Sequence, residues 1–159
     1  MQRRVKAFPR SLADFIRARV IGARRYDHTS CWSGVNTNVI TFSKTHTAAS
    51  WENTGTTRSS PPGGYSDKNT YHCVRLTASF DGKVTVTGVC ETKDADGDKR
   101  LGHYLFVDGK ETFYTVVPGT GKYDGMVTTR TLEQLGPFKA IKEGTFQGCN
   151  HQTGTYKLK

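Results

Sequence analysis

The chain predicts an all-β fold, a single antiparallel eight-stranded barrel preceded by a basic N-terminal extension that is either a short helix or disordered. Three observations carry that expectation. Threonine fills 22 of the 159 positions, glycine 17 and aromatic residues another 17, a mixture suited to pleated strands and tight turns and poor for packed helices. Two Asp-Gly pairs, Asp81-Gly82 and Asp108-Gly109, each separate two strand-like runs and favour the positive φ angles of a two-residue hairpin turn. Turn residues recur at short intervals from residue 37 onward, and closing such a series of strands removes the exposed edges it would otherwise offer. A chain of 159 residues, 35% hydrophobic, is long enough for one domain with one core.

Residues 1–30 form the expected extension and residues 31–159 the barrel domain. Of a net charge of +9, the first thirty residues carry +6, from eight Lys and Arg against Asp14 and Asp27, so the body is nearly balanced at +3. Ser11 followed by Asp14 makes a capping-box-like start, and Leu12, Phe15, Ile16 and Val20 recur at helical spacing. The longest apolar stretch there, Val20-Ile21-Gly22-Ala23, falls short of the roughly 7–15 residues of a signal-peptide core. No run reaches the roughly 18–20 apolar residues of a membrane-spanning helix, so a soluble domain without a transmembrane segment is expected. Nucleic acid is not the expected partner, because basic and aromatic residues are not interleaved across the body.

Asn38–Lys44 and Thr47–Glu52 read as the first strands, and Thr54–Asp67, with Pro61-Pro62-Gly63-Gly64, as a loop. Tyr71–Phe80 and Val84–Thr92 form one Asp-Gly hairpin, Leu101–Val107 and Glu111–Val117 the other. Lys122–Arg130, Gly144–Cys149 and Thr153–Leu158 complete eight or nine strands, with Leu132–Ile141 a connection broken by Gly136-Pro137. A barrel of this size is either filled by its own side chains or holds one small ligand.

Four cysteines allow three pairings. A strict two-residue turn at Asp81-Gly82 sets Cys73 opposite Cys90, close enough to bridge. The same register, however, turns the apolar set Val74, Leu76, Ala78 and Phe80 away from the apolar set Val84, Val86 and Cys90; a bulge at Phe80 aligns the sets and separates the cysteines. We favour Cys73–Cys90 with Cys31–Cys149. Cys31–Cys90 with Cys73–Cys149, Cys31–Cys73 with Cys90–Cys149, and four free thiols remain open.

No catalytic or cofactor motif is complete, so no catalytic residue and no cofactor is assigned. Asp94, Asp96 and Asp98 repeat the first half of an EF-hand calcium loop, but Lys99 stands where its sharp-turn glycine belongs and Leu105 where its bidentate Glu belongs. An acidic turn is the favoured reading. Gly119-Thr120-Gly121-Lys122 lacks the first Walker glycine, replaced by Val116. Cys149 and His151, with His72 beside Cys73, lack the spacing of a zinc module and a third group to orient a nucleophile. The aromatic side chains Trp51, Tyr104, Phe106, Phe113, Tyr123 and Phe146 are the candidates for lining a ligand pocket, with core filling as the competing role.

Cys31-Trp32-Ser33-Gly34, Phe42-Ser43-Lys44, Pro62-Gly63-Gly64, Tyr71-His72-Cys73, Asp94–Lys99, Gly119–Met126 and Gly144–Cys149 together resemble a group of uncharacterised bacterial proteins, usually small and exported. The Gly-Thr-Gly-Lys-Tyr-x-Gly element at Gly119–Gly125 is similar to that of allene-oxide-cyclase-like and dirigent-like barrels. The resemblance covers residues 31–159 and implies a calycin-like eight-stranded barrel with no established activity. It also implies export or the periplasm, which an even cysteine count suits and which the missing signal peptide does not. Two function classes follow. One is a non-enzymatic barrel that binds a small apolar molecule or has a structural role in the cell envelope; the other is an isomerase or cyclase confining a flexible apolar substrate.

Overall fold

A computed structural model describes residues 22–117, 119–136 and 138–159; the helix expected around Leu12, Phe15, Ile16 and Val20 lies outside them. Eight strands follow in order: β1 (Arg24–Thr41), β2 (His46–Ser59), β3 (Thr70–Phe80), β4 (Lys83–Lys93), β5 (Lys99–Val107), β6 (Lys110–Val117), β7 (Val127–Leu135) and β8 (Thr145–Lys157). A 3-10 turn, Gly121–Tyr123, precedes β7. All pairings are antiparallel, and β8 returns to pair with β1 from Arg24 to Val35, so the sheet order is β6-β5-β4-β3-β2-β1-β8-β7. The expected fold class is the one found: an all-β, eight-stranded barrel, hydrogen-bonded around its circumference except between β6 and β7. Side chains cross that seam. Arg130 of β7 donates from Nε to Glu111 Oε2 of β6 at 3.1 Å and from Nη2 to Oε1, and its guanidinium carbon lies 3.5 Å from the Tyr114 ring centroid. Among the described residues no helix is long and apolar enough to cross a membrane.

Both Asp-Gly pairs make the expected turns. Asp81 and Asp108 adopt φ of 50° and 49°, and Gly82 and Gly109 follow at 83° and 77°, the doubly positive geometry that matches strand twist. Phe80 then pairs with Lys83, and Cys73 falls opposite Cys90. Cys73 is bonded to Cys90 and Cys31 to Cys149, with Cα separations of 4.0 and 4.1 Å.

The conflict of faces is resolved by sending one apolar set outward. Val74, Leu76 and Phe80 face solvent, 57%, 48% and 57% exposed, while Cys73, Val84, Val86 and Cys90 face the interior. Two directly opposed, disulfide-bonded cysteines must share a face, and side chains alternate along a strand. The covalent bond and the two-residue turn therefore outweigh the burial that Val74, Leu76 and Phe80 would gain, and Tyr71, Cys73 and Arg75 take the inner positions.

Several boundaries differ from expectation. β1 begins at Arg24, ahead of residue 31 and of the strand expected from Asn38, and ends at Thr41, short of Lys44, so Arg24, Arg25 and Asp27 stand in the barrel wall. Residues 54–59 prolong β2 instead of opening a loop, and β8 runs unbroken where two strands were expected. Both stretches are rich in Thr and Gly yet hold no proline or Asp-Gly pair, and their alternate residues have an interior to face. The strand expected from Lys122 starts only at Val127, because Gly121 and Gly125 take φ of 51° and 68° in the turn before it. The expected connection over Leu132–Ile141 yields its first residues, to Leu135, to β7.

Candidate functional site

The barrel has two unlike ends. The β1–β2, β3–β4 and β5–β6 hairpin tips ring one; the loop of residues 60–69, the turn of residues 94–98 and the segment of residues 119–126 close the other. Tyr65 reaches in from the first of these loops. Its ring stacks on Tyr156 at 4.3 Å and lies 5.0 Å from Tyr26. The guanidinium carbon of Arg100 sits 4.7 Å from the Tyr65 ring centroid and 5.2 Å from that of Tyr123, and Nη2 donates to Ser66 Oγ at 2.7 Å. Tyr123 Oη donates in turn to Asp94 Oδ2 at 2.9 Å. Burial pushes the phenols of Tyr26 and Tyr123 up to about 12, so both are neutral donors at physiological pH. This end is a packed floor.

The three acids of the calcium-like turn serve that floor. Asp94 Oδ1 accepts from the backbone N–H of Asp96 and Asp98 at 2.9 and 3.0 Å, and Lys122 Nζ lies 2.7 Å from Asp94 and 2.6 Å from Asp96. Asp98 accepts from the Lys122 N–H. Burial raises the Asp94 carboxyl, but the hydrogen bonds from Lys122 and Tyr123 outweigh it and leave the group below its ordinary value. An internal ammonium thus occupies the place a cation would take. Among the described residues no group of three His, Cys, Asp or Glu side chains is arranged to hold a metal.

Above the floor lies a cavity of about 480 Å³. Of the expected lining residues, Trp51, Tyr104, Phe106 and Phe146 face it. Tyr123 lies beneath it, 4% exposed in the floor. Phe113 points outward, 44% exposed: the β5–β6 ladder shifts between Leu105 and Phe106, and that irregularity turns Phe113 out while Tyr114 faces in. Trp32, Tyr71, His28 and Arg75 also line the cavity and were not anticipated. The signals were the alternation Tyr26, His28, Ser30, Trp32 and the glycines inside strands, which mark close approach rather than turns. Phe146 pairs with Gly34, Tyr71 with Gly55 and Tyr104 with Gly88, each ring covering the partner that lacks a side chain.

The lumen is apolar and cationic together. Arg75 projects from β3 with its guanidinium carbon 4.4 Å from the Trp51 ring centroid, 5.2 Å from Tyr104 and 5.7 Å from Trp32. Among the described residues its buried Nε has no hydrogen-bond partner, nor has the Tyr104 hydroxyl. Burial pushes the Tyr104 phenol up to about 12. His28 is 4% exposed with Nδ1 unpartnered; burial, then the charges of Arg100 and Arg130, press its pKa down to about 4, so it is neutral at physiological pH. Among the described residues three arginines and no carboxylate line the cavity. The Cys73–Cys90 bond lies in its wall, and Cys31–Cys149 bridges β1 and β8 on the outer face.

Neither a family model, a curated protein nor a solved structure matches the chain. The geometry of the lumen therefore carries the functional reading by itself.

Proposed function

We propose that this protein holds a small, largely apolar molecule inside the barrel, admitted at the hairpin-tip end. The observation that supports this reading is the volume left open: about 480 Å³, within the roughly 300–1,000 Å³ typical of small-molecule sites, between aromatic side chains large enough to have filled it. Val84, Val86 and Phe106, on the tip side, are only half-buried, as a mouth requires. A barrel with a purely structural role has no need of such a space. Two disulfides favour an oxidising compartment, hence export or the envelope.

The test is native mass spectrometry of the freshly purified, disulfide-intact chain beside a variant with a filled lumen. Gly102 lines the cavity, and a Cβ there meets nothing closer than Tyr114 at 3.4 Å, so Gly102→Leu places a side chain in the open space. A small molecule released from the wild type and absent from Gly102→Leu supports the reading; the same mass on both proteins contradicts it.

A second reading takes the cavity as a reaction chamber, an isomerase or cyclase like the barrels the sequence resembles. His28 favours it: a neutral, buried imidazole with a free nitrogen can move a proton. Recovery of the bound molecule unchanged after prolonged incubation supports the binder. Conversion that is lost in His28→Gln supports the enzyme.

A further inference from the structure

We propose that Arg75 receives an anionic head group, so that the molecule held in the lumen is an organic carboxylate with an apolar body. The inference rests on the reading of the lumen as a binding chamber and adds the ligand's chemical class.

The first support is charge. Among the described residues the lumen is lined by Arg75, Arg100 and Arg130 and by no Asp or Glu. Glu111 compensates Arg130 across the β6–β7 seam, and Arg100 is spent on the floor, between two tyrosine rings and on Ser66. Arg75 has neither. No ion pair of the described residues involves it, and its Nε is buried without a partner. A guanidinium stays charged in a protein, and removing one from water without a counter-charge is costly. The aromatic faces of Trp51, Tyr104 and Trp32 offset part of that cost but bring no counter-charge.

The second support is the neighbouring donor. Tyr104 and Arg75 converge over Gly88, where a Cβ would meet the Tyr104 hydroxyl and would lie 2.8 Å from Arg75 Cγ. The Tyr104 hydroxyl is a second buried group with no partner among the described residues. One guanidinium fork and one neutral phenol suit the two oxygens of a carboxylate, for which arginine offers paired, directional donors.

The third support is polarity along the barrel. Arg75 pairs with Gly88 of β4, and the next inward residues toward the tips are Val86 and Val84, with Phe106 beside them on β5. A ligand whose charge meets Arg75 therefore lays its apolar body along Val86, Val84 and Phe106 toward the mouth.

The test uses decanoate and the neutral probe decanol. Trp32 and Trp51 are the chain's two tryptophans, and both line the cavity, so intrinsic emission reports occupancy directly; calorimetry gives the affinities. Titration of the full, disulfide-intact chain is expected to show decanoate bound roughly 10- to 100-fold more tightly than decanol, the span of a charge-assisted hydrogen bond. Arg75→Met is expected to abolish that preference while leaving decanol affinity within about threefold. Arg75→Gln, with the charge removed and polarity kept, carries the same expectation if Arg75→Met does not fold. Equal affinity of the wild type for both probes, or an unchanged preference in the variant, overturns the anion site while leaving the chamber reading intact. Failure of both probes to change either tryptophan overturns the two readings together.

Discussion

The indole of Trp32 lies across Gly148 of the neighbouring strand, so close that a Cβ on that glycine would stand 2.6 Å from Cζ2 of the ring. Trp32 and Gly148 are direct cross-strand partners of β1 and β8. The glycine is not there for a turn: its value is the absent side chain, which lets a large ring lie against the wall and leaves the lumen open.

Gly148→Ala is therefore expected to push Trp32 into the lumen. The loss of stability should be about 1–3 kcal/mol, as for an overpacked core, and Trp32 emission should shift. Denaturant unfolding and fluorescence check both. An alanine tolerated without change in either would contradict the close packing.

Glu111 and Arg130 close the β6–β7 seam, which lacks a ladder among the described residues, and their side chains are 15% and 9% exposed. Glu111→Gln leaves a buried guanidinium uncompensated and should cost about 3–5 kcal/mol. Replacing both, as Glu111→Leu with Arg130→Met, should restore much of that loss. A double-mutant cycle in urea measures the coupling, and additive effects would show that the pair does not hold the seam.

His28 makes stability depend on pH. Burial and the charges of Arg100 and Arg130, opposed by Asp27, lower its pKa from 6.5 to about 4, so folding favours the neutral ring. Its contribution is fully present above about 6.5 and is lost as pH falls toward about 4, by up to roughly 3 kcal/mol. The difference in unfolding free energy between wild type and His28→Gln should narrow across that window. A difference independent of pH there would contradict the buried neutral ring.

The two disulfides should differ in both access and weight. Cys31 is exposed on the outer face and Cys73 is fully buried, so timed alkylation under mild reductant should find Cys31–Cys149 opened first. The outer bond also spans 118 residues against 17 for the inner one, and chain entropy predicts a loss of about 5 kcal/mol for its removal against about 3 for the other. Thermal unfolding of the two paired Cys→Ala variants gives the comparison.

The barrel was legible because its strongest signals are local: Asp-Gly turns determine their own geometry, and the Cys73–Cys90 register follows from one of them. The N-terminal edge of β1 was hidden because Arg24, Arg25 and Asp27 look like a continuation of the basic extension until β8 is there to pair with them. The lumen was half legible. Trp51, Tyr104, Phe106 and Phe146 could be named as bulky rings on strands, whereas Phe113 required knowledge of a ladder shift that no residue announces. Arg75 was hidden for a physical reason: a charge inside a barrel contradicts the rule that apolar residues go inward, and only the disulfide at Cys73, two positions away, fixes its side.

A crystal structure of the wild-type chain grown with decanoate shows directly whether the lumen holds an anionic ligand on Arg75. The probe is expected inside the barrel, with its carboxylate on Arg75 and its chain running along Val86 toward Val84. A lumen filled by rearranged side chains, with decanoate only on the outer face around Val74, Leu76 and Phe80, would contradict it.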